Sequence, residues 1–283
     1  MSATPAATGP LGLIAGNGQF PFLVAKAAKR LGRRVCLIKL REETDAGLDE
    51  LVDESYEISL GQLGSCIAAL KKAGATEAIM AGQVRHGQIF SGIVPDLTLM
   101  GVLARLAFKN TDSLIGGVAD ALERDGIKLI SSVSLLADQL AGEGVMSGRK
   151  LSSEQARAVE YGVGIASELG RLDLGQTVVV KDRAVVALEA MEGTDEAIAR
   201  GARIAGPGVV VVKMAKPKQD MRFDVPVVGA RTLDALKAGK AAVLAVEAHM
   251  TLLLDKPEFL QRAEESGIAI VGVVRGREMP GHE

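Results

Sequence analysis

Aromatic residues make up only 3% of this 283-residue chain, so platforms on which nucleic-acid bases stack are scarce. Lysine and arginine total 33 against 35 aspartates and glutamates, a net charge of -2 that gives no electrostatic reason for a nucleic-acid partner. No nucleic acid is expected. There are two cysteines, Cys36 and Cys66, both in apolar segments without CxxC spacing or a histidine at ligand spacing. They read as buried structural thiols in a reducing compartment. Of the three histidines, none pairs with another at metal-ligand spacing, and His86, beside Arg85, reads as a surface residue or a ligand contact. No run of about 18 uncharged apolar residues is long enough to span a bilayer. The start, MSATPAATGPLGLIAG, lacks a basic segment and a sufficient apolar run for a signal peptide, so a cytoplasmic location is expected. No internal repeat is present.

What the chain does have is ordinary globular usage, 48% hydrophobic and 24% charged, with 33 glycines that favour many tight strand-to-helix turns. Its length suits two α/β domains: an N-terminal Rossmann-like parallel sheet over 1–140, a Gly- and Ser-rich linker over 141–153, and a C-terminal mixed α/β domain over 154–283. Leu11 to Ala15 read as a first strand, followed by the turn Gly16-Asn17-Gly18-Gln19-Phe20-Pro21 and an apolar helix through Leu31. Gly16 and Gly18 would let the backbone approach an anion, and Pro21 suits a first helical turn. The pattern is G-x-G-x-x-P, and the second strand, Arg34 to Ile38, ends in Lys39-Leu40-Arg41 rather than in an acid that grips a ribose. Both departures argue against a nicotinamide-dependent oxidoreductase. A helix over Gln62 to Ala73, a strand over Glu77 to Ala81 and a turn at Gly82 continue the alternation that implies a parallel sheet. Ser91 to Lys109 reads either as a core-facing helix or as an apolar groove for a lipid chain. Asn110 to Ser113 caps the helix Leu114 to Arg124.

The chain is organised around Val209 to Gly229, VVVVKMAKPKQDMRFDVPVVG. Four valines mark a buried strand that ends in a loop carrying Lys213, Lys216, Lys218 and Arg222 with Asp220 and Asp224. Pro217 and Pro226 bias Lys216 and Val225 towards extended backbone, which shapes the loop. Cations alternating with carboxylates suit either a plain solvated loop or a substrate bearing several phosphates, with a carboxylate holding a divalent metal. Upstream, Gln176 to Ala190 reads as a hairpin, and Thr194 as the cap of the helix Glu196 to Ile204.

With these pieces in order, the sequence resembles the LpxI family, the UDP-2,3-diacylglucosamine pyrophosphatases of lipid A biosynthesis. The resemblance is carried by LGLIAGNGQFP (11–21), IMAGQV (79–84), NTDSL (110–114), GRLDLGQTVVV (170–180), VVALEAMEGTD (185–195) and KMAKPKQDMRFDVPVVG (213–229). It implies a substrate cleft between two domains and Mg²⁺-dependent hydrolysis at the α-phosphorus of UDP-2,3-diacylglucosamine, giving UMP and 2,3-diacylglucosamine 1-phosphate. The family's catalytic aspartate lies in a D-x-P context that Asp224-Val225-Pro226 matches. Asp224 and Lys213 are then the catalytic residues, with Gly16, Gly18, Gly82, Gln176, Thr194 and Gln219 binding substrate. Asp224, Asp220 and Asp112 are the metal ligands, Asp220 ranking below Asp224 because the family accommodates Glu there. A non-catalytic carrier or sensor of a nucleotide-linked lipid is the rival that would not need Asp224. The substrate's acyl chains imply transient contact with the inner-membrane surface, and a homodimer is the default oligomer.

Overall fold

The computed structural model describes residues 9–84, 94–106, 111–147, 150–217 and 219–277, with the backbone alone at 111 and 112. The chain divides into two compact units. The first comprises Met1–Leu136 and Met221–Phe223, and the second Ala137–Asp220 and Asp224–Glu283.

The first unit is built on a five-stranded parallel sheet in the order β3-β2-β1-β4-β5: β1 (Leu11–Ala15), β2 (Val35–Leu40), β3 (Glu54–Ile58), β4 (Glu77–Ala81) and β5 (Lys128–Leu129). Its helices are α1 (Gln19–Arg30), α2 (Leu63–Lys72), α3 (Leu97–Leu103) and α4 (Thr111–Arg124). Strand period two puts Cys36, Ile38 and Leu40 of β2 on one face, where they join Leu63, Cys66 and Leu70 of α2, Leu99 of α3 and Leu122 of α4 in one buried cluster. Burial pushes the Cys66 thiol up to about 12 and the Cys36 thiol up to about 11, as befits structural cysteines. The other face carries Leu11, Leu13 and Leu37, all fully buried.

Strand β2 runs two residues beyond its expected end, because Lys39 pairs in register with Ala15 and Glu57 while its ammonium reaches Asp49 at 2.9 Å. Strand β3, ESYEI, is an edge strand whose glutamates keep the open edge charged. Residues 221–223 complete this unit: the hydroxyl of the fully buried Ser132 lies 2.6 Å from the Met80 carbonyl and 2.7 Å from the Arg222 carbonyl, which share its one hydrogen, and Phe223 packs on the buried cluster.

The second unit carries a six-stranded mixed sheet in the order β6-β13-β11-β9-β7-β8: β6 (Gly144–Val145), β7 (Thr177–Lys181), β8 (Ala184–Leu188), β9 (Val210–Lys213), β11 (Val243–Glu247) and β13 (Ala269–Val273). A separate parallel pair joins β10 (Val227–Val228) to β12 (Leu252–Leu253). The helices are α5 (Ser153–Arg171), α6 (Thr194–Ala205), α7 (Ala230–Ala238) and α8 (Lys256–Glu265). Strands β9, β11 and β13 are parallel, while β7 runs antiparallel to β9, so the Gln176–Ala190 segment is the hairpin its pattern implied. Within the stretch expected as a linker, β6 pairs with β13 and Ala141 is buried.

Val209 and the valines of β9 that follow it alternate between the two cores. Val209 and Val211 join Leu233, Leu236 and Phe259 on one side, while Val210 and Val212 join Val159 and Ala166 of α5 on the other. Helix α5 opens with a capping box, the Ser152 hydroxyl accepting from the Gln155 N–H as the Gln155 side chain accepts from the Ser152 N–H. It comes close to the sheet at Gly162, where a methyl group would lie 2.6 Å from Val212 Cγ2.

Candidate active site

The valine run of β9 is buried throughout, and Lys213, its last residue, is only 3% exposed. A lysine in that position needs partners. Its Nζ donates to Thr194 Oγ1 at 2.8 Å, and the Thr194 hydroxyl donates in turn to Glu189 Oε1 at 2.9 Å. Thr177 Oγ1 lies 3.4 Å from the same hydroxyl, and the Gln176 N–H reaches Glu189 Oε2 at 3.4 Å. Thr177 pairs with Lys213 across β7 and β9, and the Glu189 N–H bonds the Thr177 carbonyl, so three neighbouring strand ends gather these groups.

Burial lowers the Lys213 pKa, and the carboxylates of Glu189, Asp195 and Asp224 act in the opposite sense. Lys213 therefore sits in a buried, carboxylate-lined position. There it acts on a negative ligand far more strongly than a solvated lysine does.

Thr194 was expected to cap α6, but the helix begins at Thr194 with Gly193 as its cap, and no side chain caps that end. The threonine hydroxyl serves Lys213 and Glu189 instead. Asp195, next in the helix, accepts from the Thr232 hydroxyl at 2.9 Å and faces Arg231 at 3.7 Å.

The loop after β9 is shaped by side-chain bonds to its own backbone. Gln219 accepts from the Lys216 N–H at 2.7 Å and donates to the Asp224 carbonyl at 2.6 Å, and the Asp224 N–H bonds the Asp220 carbonyl at 2.8 Å. Lys216 Nζ lies 2.7 Å from Asp173 and 3.9 Å from Asp224. Glu247, at the end of β11, fixes where the loop starts. It accepts from the Ala215 N–H at 2.8 Å and from Arg275 at 3.0 Å, while Arg275 donates to the Ala215 carbonyl at 2.6 Å. Neither Glu189 nor the Glu247–Arg275 pair figured in the sequence reading. The only sequence signal for Glu247 is a carboxylate closing an apolar strand.

Of the residues expected to bind substrate or metal, Lys213, Thr194, Gln176, Gln219, Asp220 and Asp224 all belong to the second unit and cluster at its β9 end. The buried Gln176 Oε1 has no hydrogen-bond partner. Such an oxygen accepts only, so it can serve a donor such as water or a sugar hydroxyl but not a phosphate oxygen.

In the first unit, Gly16 and Gly82 are demanded by the chain itself. A methyl group on Gly16 would overlap the Gln83 backbone, and one on Gly82 would lie 2.6 Å from the Asn17 carbonyl, where Asn17 and Gln83 form a β-bridge. Gly18, at φ 91°, faces open space, and its N–H donates to Asp45 Oδ2 at 2.6 Å. Glu43, 4% exposed, accepts from Asn17 Nδ2 at 2.6 Å. Glu43, three residues past the end of β2, thus places an acid beside the glycine turn. Asp112 lies in the first turn of α4, and its side chain is outside the described residues, as are His86 and Lys218.

Among the described residues, no group of three or more His, Cys, Asp and Glu is placed to hold a metal. Mg²⁺ commonly takes one or two carboxylates and completes its shell with water and substrate phosphates. Asp220 and Asp224, joined by the bond from the Asp224 N–H to the Asp220 carbonyl, with Lys216 3.9 Å from Asp224, offer two carboxylates for that mode and not an all-protein cage.

Comparison with known proteins places the chain among relatives. A pyrophosphatase of Caulobacter vibrioides, named UDP-2,3-diacylglucosamine pyrophosphatase LpxI, is 31% identical over 275 residues, covering 93% of this chain and 97% of its own. Among solved structures, the biotin carboxylase domain of Hydrogenobacter thermophilus 2-oxoglutarate carboxylase is 15% identical, covers 70% of this chain and 42% of that one, and has a TM-score of 0.29. A second, the biotin carboxylase domain of a thermophilic 2-oxoglutarate carboxylase bound to ADP, is 16% identical and covers 62% and 35%, with a TM-score of 0.28. The chain thus spans less than half of those structures, and superpositions this loose carry no argument. Residues 10–139 match the family model of the LpxI N-terminal domain and residues 142–271 that of the LpxI C-terminal domain, and so the chain belongs to the LpxI family.

Proposed function

We propose that this protein hydrolyses the phosphoanhydride of UDP-2,3-diacylglucosamine in lipid A biosynthesis, releasing UMP and 2,3-diacylglucosamine 1-phosphate. The observation that carries the reading is the buried ammonium of Lys213, hydrogen-bonded at the end of β9 and near the Asp224 carboxylate. The named relative supplies the substrate class.

A diphosphate shields its phosphorus atoms with negative oxygens, and the leaving phosphate keeps its charge as the bridging P–O bond breaks. Lys213 neutralises that charge from a site that water does not screen. Gln219 holds the Asp220–Asp224 loop in shape, and Gln176 offers its unpartnered amide oxygen to a water or a substrate hydroxyl. Asp224, with Asp220, would hold Mg²⁺, which when bound adds positive charge against the diphosphate. The enzyme works at the cytoplasmic face of the inner membrane, meeting the lipid only transiently.

The test is UMP release from UDP-2,3-diacylglucosamine with Mg²⁺, with EDTA, and by a folded Asp224→Ala variant. Metal-dependent release that falls on the order of 100-fold or more in the variant is expected, the scale of losing one essential electrostatic group. Running the reaction in ¹⁸O-water locates the attacked phosphorus: label in UMP marks the α-phosphorus, and label in the sugar phosphate marks the β-phosphorus. A wild type that binds the substrate and releases nothing would instead be a carrier or sensor.

A further inference from the structure

Glu189 has no role in the hydrolysis described above, yet the residue is only 8% exposed and its carboxylate is held inside the Lys213 cluster by both oxygens. The hydrogen bonds have a direction. Thr194 owns one hydroxyl hydrogen and gives it to Glu189, which leaves its lone pairs to receive the Lys213 ammonium. An amide at position 189 offers its own hydrogens and can reverse that hydroxyl, turning a donor towards Lys213.

We propose that Glu189 is a positioning residue for Lys213: acting through Thr194, it fixes the ammonium at the end of β9, directs its remaining hydrogens to the substrate's phosphate oxygens, and supplies the counter-charge that keeps it cationic away from water. Three carboxylates oppose the desolvation of Lys213: Glu189 just after β8, Asp195 in the first turn of α6 and Asp224 in the loop. Asp195 is engaged by Thr232 and faces Arg231, and Asp224 faces Lys216. Glu189 stands first among them and is joined to the ammonium through a single hydroxyl.

The catalytic consequence rests on the pyrophosphatase reading, but the first measurement does not. In the full chain labelled with ¹⁵N-lysine and without substrate, the Lys213 ammonium resonance is identified by its loss in Lys213→Arg. In Glu189→Gln it is expected to titrate at lower pH than in the wild type, with Glu189→Asp lying between the two. In turnover of UDP-2,3-diacylglucosamine, Glu189→Gln should lower kcat on the order of tenfold, the factor that corresponds to about one pKa unit of interaction, with KM little changed. The alkaline limb of its kcat profile should move to lower pH, and Glu189→Asp should restore part of the loss.

A Glu189→Gln protein with the wild-type lysine titration and the wild-type pH profile would overturn the proposal, even if it melted at a lower temperature, since that would leave Glu189 a purely structural role. A wild type without turnover, with the lysine titration still shifted in Glu189→Gln, would sink the pyrophosphatase reading and leave the positioning of Lys213 intact.

Discussion

Taking the Lys213 ammonium out of water disfavours its charged form, and this cost has a pH dependence that can be checked. The folded-state pKa lies below the ordinary 10.5 because of burial, so between the two values the unfolded chain binds more protons at this site than the folded one. Stability from this residue is therefore least at and below the folded-state pKa and rises as pH climbs towards 10.5. Lys213→Met removes the titration. The difference in melting temperature between the wild type and Lys213→Met should accordingly shift in favour of the wild type as pH rises through that window. A difference that stays flat across it would mean that Lys213 titrates at its ordinary value.

At the scale of elements, α5 and β9 are pressed together at Gly162, and the branched Val212 side chain cannot swing aside. Gly162→Ala should destabilise the protein by about 1–3 kcal/mol in urea unfolding, the usual cost of overpacking, despite alanine's better helix propensity. An unchanged or raised urea midpoint would show that the helix can slide outward without penalty. Such contacts mark the limit of what the sequence alone could say. The VVVVK run announced β9 and the charge at its end because hydrophobicity stops abruptly there, and the hairpin before it was legible for the same reason. Edge strand β3 escaped notice because its apolar residues are few, and β6, β10 and β12 are two residues long, too short for any periodicity. The start of α6 was misplaced because a threonine ahead of acidic residues looks like a cap, whereas its hydroxyl answers to Glu189 and Lys213, five and nineteen residues away. Glu189 itself sits in an exposed-looking turn sequence, and only the pairing of β7 with β8 and β9 reveals what it faces.

For the whole molecule, a net charge of -2 and the absence, among the described residues, of any helix long and apolar enough to cross a bilayer bear on how the lipid is met. Anionic vesicles should carry down little of the protein in sedimentation, whereas vesicles containing UDP-2,3-diacylglucosamine should retain more. Strong, salt-sensitive binding to anionic vesicles without that lipid would contradict transient contact. Connectivity is also unusual, because the chain leaves the second unit at Asp220, lends Met221–Phe223 to the core of the first, and returns at Asp224. A fragment stopping at Leu136 would thus lose Phe223 and the Arg222 carbonyl that Ser132 bonds. The glycine turn of the first unit has a bearing on inhibitor chemistry. Its Gly18 N–H is occupied by Asp45, with Glu43 close by on Asn17. Dinucleotide-like compounds that seek a phosphate grip at such a turn would meet a carboxylate there, so on the proposed function a diphosphate mimic is expected to draw its affinity from Lys213, where the charge has the right sign.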